Sequence, residues 1–446
     1  MVVQAEIIEN IIISSNDLNY CILRNYEEIP DTIRHDVDIL LDKQDYCKFV
    51  LRIKKICLRY GLKMKKVWDR DSFSTYVLYD ITDHMHLLKL DIWTDLCWRG
   101  ISWIDTKYIL HTRKKFHNFY KPSIGCEAAV SMMKELFGGG DVPQKYYNQI
   151  QRGVKEDRDH FLTALKPVWK RYADFFADNI MCDDWNTINK FKSGYRKELL
   201  KASIRKRQFW KHISQVMVVA WTAIVQYLKM EGMLIVFAGP DGSGKTTVID
   251  GLKQELKLLY PKIQVFHTRL EIFPELHTGL SLSNYKKRKK TGDCKSLKVN
   301  KEKTRKSEQS IISRLASDIV FVYYTLEFII GRPYLRSRRM GNSLVIFDRY
   351  YYDFFVQLNT RNLIWNKREF LCRLIPQPDF IFHLYADGKT VYERKGELNV
   401  KEIDIQNKLF EKLLKNKPEY YKVNTEIYDQ NECITWITQK ILEGKD

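Results

Sequence analysis

Nine consecutive residues of this 446-residue chain, Gly239-Pro240-Asp241-Gly242-Ser243-Gly244-Lys245-Thr246-Thr247, have the types and spacing that hold a polyphosphate. They fit G-x-x-x-x-G-K-[ST], in which glycines let the backbone curl until its N–H groups point inward at an anion. Lys245 would reach the β- and γ-phosphates of a nucleotide, and the Thr246 hydroxyl would ligate Mg2+. ATP and Mg2+ are therefore the expected cofactors, with Gly239, Gly242, Ser243, Gly244, Lys245, Thr246 and Thr247 as the binding residues. A second group, Asp348-Arg349-Tyr350, directly follows the apolar run Leu344–Phe347. A carboxylate at a strand's carboxyl end lies in the crevice where α/β sheets bind ligands, close to a metal and an acceptor. A third group is Asp36-Val37-Asp38, with Asp91 at the centre of Leu87–Trp93. Carboxylates at i and i+2 share one face of a strand. Three aspartates on adjacent strands, Asp36, Asp38 and Asp91, could hold two divalent metals, which makes them a second candidate metal site.

These groups need elements to position them. Met233–Ala238 is six apolar residues in a row and runs straight into the phosphate loop, as a strand buried on both faces of a parallel sheet reads. Val248-Ile249-Asp250-Gly251-Leu252 then opens a helix. Further strands are expected at Ile263–Phe266, Leu344–Phe347, Phe380–Leu384 and Thr425–Tyr428, separated by helical stretches. The pattern predicts an α/β domain with a doubly wound parallel sheet over residues 232–446. Residues 1–124 alternate short strands and helices and read as a separate α+β domain. The pattern changes near Gly125 and Gly138-Gly139-Gly140, and 125–231 reads as a helical bridging region. There Phe161, Leu165, Val168, Trp169, Tyr172, Phe175 and Phe176 recur at spacings of three and four, which predicts one apolar stripe on a helix.

The third domain resembles the thymidylate kinase family of P-loop nucleoside monophosphate kinases. GPDGSGKTT resembles that family's phosphate loop, Asp348-Arg349-Tyr350 its acceptor-side motif, Pro378–Leu384 its fourth strand, and Glu393-Arg394-Lys395-Gly396-Glu397-Leu398 the lid that closes over ATP. The resemblance implies a kinase that moves the γ-phosphoryl group of MgATP to a small phosphorylated acceptor. It implies that Asp241 sits beside the acceptor or the transferring group. Arg349 and Arg269 would grip the acceptor phosphate, Asp348 would act through Mg2+ or the acceptor, and Arg394 and Lys395 would supply positive charge in the transition state. Where the family motif continues with a serine, this chain has Asp353. Thymidylate kinases are commonly dimers, so a homodimer is a further expectation.

The first domain is similar to nucleotidyltransferases of the polymerase β type, on Asp36, Asp38 and Asp91. The stretch Tyr20–Tyr26 ahead of them is similar to members fused to kinase-like domains in bacterial polysaccharide loci, which would put the chain in polysaccharide biosynthesis. The lead-in Pro30-Asp31-Thr32-Ile33-Arg34-His35 lacks the glycine that family uses to cradle a triphosphate. This leaves an alternative in which Asp36, Asp38 and Asp91 do the chemistry and the P-loop domain regulates.

Composition narrows the classes. With 45% hydrophobic and 29% charged residues the chain has enough apolar material for packed cores, which excludes wholesale disorder. Nine scattered cysteines with no C-x-x-C pair argue for free thiols, and the amino terminus lacks the basic start of a signal peptide; both predict a cytoplasmic protein. The apolar stretches Ile213–Leu228 and Ile319–Ile330 are interrupted by polar residues and read as core helices. Net charge is +19, and Lys286–Lys306 carries eleven Lys or Arg against Asp293 and Glu302. That run reads as a solvated loop or as a counter-surface for nucleic acid or an anionic membrane. A second alternative is therefore a nucleotide-gated binding module docking through that run.

Overall fold

The computed structural model describes residues 2–444 apart from 25, 28, 30–35, 71, 81–85, 99, 191, 206–216, 218–220, 222–223, 226–231, 275–310, 358–367 and 397. The chain divides into two compact units, Met1–Lys229 and Met230–Asp446.

The first unit is built on a five-stranded sheet of β1 (Tyr20–Ile22), β2 (Val37–Leu41), β3 (Lys63–Arg70), β4 (Phe73–Tyr79) and β5 (His86–Trp93). Their order is β1-β2-β5-β4-β3, with β2 and β5 parallel and the other neighbours antiparallel. Side chains alternate along a strand, and here both faces are covered. Val37, Ile39 and Leu41 join a core with Ile7, Ile11, Phe49 and Ile53 from the helices Val2–Ser14 and Tyr46–Arg59. Leu40 faces a second core supplied by the helices Ile124–Gly138, Tyr147–Glu156, Arg158–Trp169 and Arg171–Met181. The helices expected as a separate bridge thus share the core of the first sheet. Two short hairpins, β6 (Cys97–Trp98) with β7 (Ile101–Ser102) and β8 (Lys114–Phe116) with β9 (Phe119–Lys121), complete the strands of this unit.

One local expectation is corrected, and one glycine explains a close approach. Gly125, near which the pattern changes, lies in the first turn of Ile124–Gly138, where a Cβ would stand 2.1 Å from the Asp157 carbonyl oxygen and 2.8 Å from the Phe161 nitrogen. Only glycine allows the two helix ends to approach so closely. The aromatic stripe is carried on two helices, because Lys170 adopts φ +47° between Trp169 and Arg171. Pro167, which cannot donate to the preceding turn, weakens the end of the first helix.

The second unit holds β10 (Met233–Ala238), β11 (Ile263–His267), β12 (Leu344–Asp348), β13 (Phe380–Tyr385) and β14 (Tyr420–Asn424). All neighbours are parallel, in the order β11-β12-β10-β13-β14. Every residue of β10 is buried, as the six-residue apolar run requires. The last strand lies earlier than expected: Tyr420–Asn424 pairs with β13, and Thr425 begins the turn that follows. As an edge strand with Lys422 exposed, it has a mixed composition that hides it among loop residues. Capping boxes fix two helices around this sheet, Asn399 with Glu402 on Val400–Leu414 and Asp429 with Glu432 on Gln430–Glu443. Each contributes about 1 kcal/mol. No helix among the described residues is long and apolar enough to cross a membrane.

Candidate functional site

The parallel sheet gathers the phosphate loop and the Asp348-Arg349 pair at the carboxyl ends of its inner strands β10 and β12. Register pairs Phe237 of β10 with Asp348 of β12, and Asp348 with His267 of β11, so the phosphate loop and the Asp348-Arg349 pair leave neighbouring strands side by side. The loop turns sharply at Gly239, with φ +140°, and a Cβ there would meet the Leu384 carbonyl oxygen at 2.2 Å. Helix Lys245–Leu256 starts directly after the loop, so its free N–H groups and positive dipole end face the same space.

Lys245 is buried and its Nζ donates to the carbonyls of Gly239 and Pro240, both at 2.8 Å. Burial pushes its pKa down to about 8; the nearby Arg349 cation adds to this, while Asp241, Asp348 and Asp353 oppose it. Arg349 follows β12 with φ +74°, held by its N–H donating to the Phe237 carbonyl at 2.9 Å. That left-handed turn costs an arginine about 1–2 kcal/mol, and it sets the guanidinium against Asp241, to which Nη2 donates. Burial raises the pKa of Asp241, but the charges of Arg349, Lys245 and Lys395 outweigh it and leave the carboxyl below its usual range.

Asp348 has one oxygen, Oδ2, 3.3 Å from Nδ1 of His267; the other, Oδ1, is buried with no hydrogen-bond partner. An orphaned carboxylate oxygen beside a phosphate loop, with the Thr246 hydroxyl at the start of the adjoining helix, is a hard oxygen donor set. It fits Mg2+, which takes few protein ligands and completes its shell with phosphates and water. Burial would raise the Asp348 carboxyl, but the His267 contact and the Lys245 and Arg349 cations hold it below the usual range.

The two residues expected on a lid, Arg394 and Lys395, separate. Lys395 stands 3.9 Å from Asp241 across the loop mouth. Arg394 points elsewhere: its guanidinium donates to Oγ1 and the carbonyl of Thr425, at 3.0 and 2.9 Å. Arg269 is also occupied. Its Nε lies 3.1 Å from Oε2 of the fully buried Glu327, Nη2 donates to the Phe273 carbonyl at 2.9 Å, and the guanidinium lies over the Tyr324 ring. Leaving Glu327 without that partner would cost about 3–5 kcal/mol.

Asp353 joins the site as a buried carboxylate with an unpartnered oxygen. Five residues after Asp348, it is 1% exposed; its Oδ2 accepts from the Tyr350 N–H at 3.1 Å and Oδ1 has no partner. Burial raises its pKa to about 6 against the pull of Arg349 and Lys245. The signal for it in the sequence was its place within the Asp348-Arg349-Tyr350 neighbourhood, where a serine was expected.

The aspartates of the first unit are brought together, but with cations among them. Asp38 and Asp91 are in register on β2 and β5. Both oxygens of the buried Asp38 accept from Lys134 Nζ, at 2.6 and 2.7 Å, and Arg24 Nε donates at 2.9 Å. Lys89 Nζ contacts Asp36 and lies 3.8 Å from Asp91, which also accepts from the Thr75 hydroxyl at 2.7 Å. Burial opposes ionisation of Asp38, yet the Lys134 and Arg24 charges keep its pKa lowered. Three cations thus stand among three carboxylates. Among the described residues no group of three or more His, Cys, Asp or Glu side chains is placed to hold a metal ion between them. The sequence residues Arg34 and His35 and the basic run Lys286–Lys306 lie outside the described residues.

No family model matches the sequence, and no curated protein matches it. Among solved structures, a thymidylate kinase from Candida albicans is 17% identical, with 48% of this chain and 93% of that one covered at a TM-score of 0.33. A thymidylate kinase from Ehrlichia chaffeensis is likewise 17% identical, with 48% and 98% covered at a TM-score of 0.28. At those values neither likeness assigns a substrate to this chain.

Proposed function

We propose that the second unit is an ATP-dependent phosphotransferase. The observation that carries this reading is the convergence, at the carboxyl ends of the inner strands β10 and β12, of the phosphate loop with its buried Lys245 and of Asp348 with its unpartnered oxygen. In this reading Lys245 exchanges the carbonyls of Gly239 and Pro240 for the β- and γ-phosphates. Thr246 and Asp348 hold Mg2+, which neutralises charge on the transferring group. Phosphoryl transfer asks little covalent chemistry of a protein, so positioning and charge neutralisation carry the rate. Lys395 supplies the lid charge; Arg394 braces the lid helix Gly388–Lys395 on Thr425. A cleft of about 490 Å³ beside the loop, lined by Thr246, Thr247, Asp250, Gln254, Gln430 and Asn431, receives the nucleoside end of ATP.

Phosphorus NMR of MgATP with the full chain and a mixed panel of nucleosides, nucleoside monophosphates, sugars and sugar phosphates tests this. ADP and one new phosphorylated product should form. Lys245→Ala should lower the rate by about a thousandfold or more, with the circular-dichroism spectrum unchanged. Equal turnover by that variant would refute the assignment.

A further inference from the structure

Asp36, Asp38 and Asp91 are the residues expected to hold divalent metals, yet side chains of the chain itself already hold each of them. Asp38 is 3% exposed and bonded on every side. Lys134 Nζ donates to both of its oxygens, at 2.6 and 2.7 Å; Arg24 Nε donates to Oδ2 at 2.9 Å and Trp93 Nε1 to Oδ1 at 3.2 Å. An ionised carboxylate offers about four lone-pair sites, so a metal ion would have to evict one of these donors. The donors are themselves tied down. Lys134 Nζ lies over the Trp93 ring, 5.3 Å from its centroid, and Arg24 donates from Nη1 to Oε1 of Glu135 at 3.0 Å. Lys134 and Glu135 are consecutive on helix Ile124–Gly138, so one helix delivers both contacts to the sheet. Lys89 contacts Asp36 and lies 3.8 Å from Asp91, which accepts from the Thr75 hydroxyl at 2.7 Å. Evicting Lys134 would strand a largely buried ammonium group, which is costly without a partner.

We propose that Lys134 is a built-in cation that takes the place of a divalent metal at Asp38, and that the first unit works without metal and transfers no nucleotide. An ammonium brings positive charge and three donors, enough to satisfy a buried carboxylate. It lacks the open coordination positions with which a metal activates a hydroxyl and stabilises a leaving pyrophosphate. The sequence agrees. Pro30–His35, directly ahead of the aspartates, has no glycine to let the backbone approach a triphosphate closely. The inference stands apart from the phosphotransferase reading, because it concerns the first unit and holds whether or not the second turns over ATP.

The test is Mn2+ binding to the full chain, read by electron paramagnetic resonance of the free ion, alone and with each nucleoside triphosphate in turn. Pyrophosphate release is followed in the same samples. Any ion held by the second unit is common to all the variants and cancels in the comparison. Asp38→Asn should bind as many Mn2+ ions as the wild type, and neither should release pyrophosphate. Asp91→Asn, which keeps a side-chain acceptor for the Thr75 hydroxyl, is the second variant should the first fold poorly, with the same result expected. Lys134→Met, similar in reach and uncharged, should gain one Mn2+ per chain, and adding Asp38→Asn should remove it again. A bound ion lost on Asp38→Asn or Asp91→Asn alone would overturn the proposal, as would pyrophosphate release that either substitution abolishes. A Lys134→Met protein with an unchanged circular-dichroism spectrum and no added ion would overturn the role given to Lys134.

Discussion

Arg349 and Asp348 are neighbours in sequence with opposite tasks, and the backbone between them separates those tasks. The strand ends at Asp348, whose carboxylate lies beside His267 of the neighbouring strand, and the positive φ of Arg349 turns the guanidinium toward Asp241. The pairing of motif residues could be read from their types, because strand ends and phosphate loops announce themselves in short windows. What each arginine touches could not. Glu327 lies 58 residues from Arg269, and no local pattern marks it as a partner. His383 provides a pH test at this scale. It is fully buried on β13, with Nδ1 3.0 Å from the Tyr420 hydroxyl. Burial, with the Lys422 and Lys245 charges adding to it, pushes its pKa down to about 4 from the ordinary 6.5. The folded chain therefore keeps it neutral where the unfolded chain takes up a proton. Its contribution is whole above pH 6.5 and is lost as pH falls toward 4, by up to about 3 kcal/mol. Urea titrations of the wild type and His383→Phe between pH 7 and 4 should show a shallower fall in the variant; identical slopes would sink the prediction.

At the scale of elements, the strands with continuous apolar runs were legible and the mixed ones were not. Met233–Ala238 and Phe380–Tyr385 are buried on both sides and read directly as strands, whereas the half-exposed Tyr420–Asn424 does not. The β2–β5 pair was legible as well, down to Asp38 beside Asp91, but its chemistry was not, because Lys134 reaches Asp38 from a helix 96 residues downstream. The helix Ile124–Gly138 is thereby anchored to the sheet by charge as well as by its apolar face. Lys134→Met should destabilise the first unit by about 3 kcal/mol, because it removes a main partner of a buried carboxylate. Asp38→Asn in the same chain should recover part of that loss. Two single variants whose effects add independently in urea unfolding would show that the contact is incidental. If instead Lys134→Met bound Mn2+ where the wild type does not, lysine would be standing where a cation could.

At the scale of the molecule, two units with separate cores predict a local response to nucleotide. A non-hydrolysable ATP analogue with Mg2+ should slow amide hydrogen exchange in 239–256 and 388–396 and leave the strands β1–β5 unchanged. Protection appearing in β2 or β5 would instead reveal communication between the units. The order of strands in the second sheet also bears on how the chain is made. Its central strand β10 is the first to leave the ribosome, but both of its neighbours, β12 and β13, come much later in the chain. Parallel pairing over such separations is slow, and an unpaired apolar strand invites association with other chains. The first unit, complete in sequence before β10 begins, can fold during synthesis, while Met233–Ala238 must wait for β13. The interval between those two strands is when this protein would most depend on a chaperone.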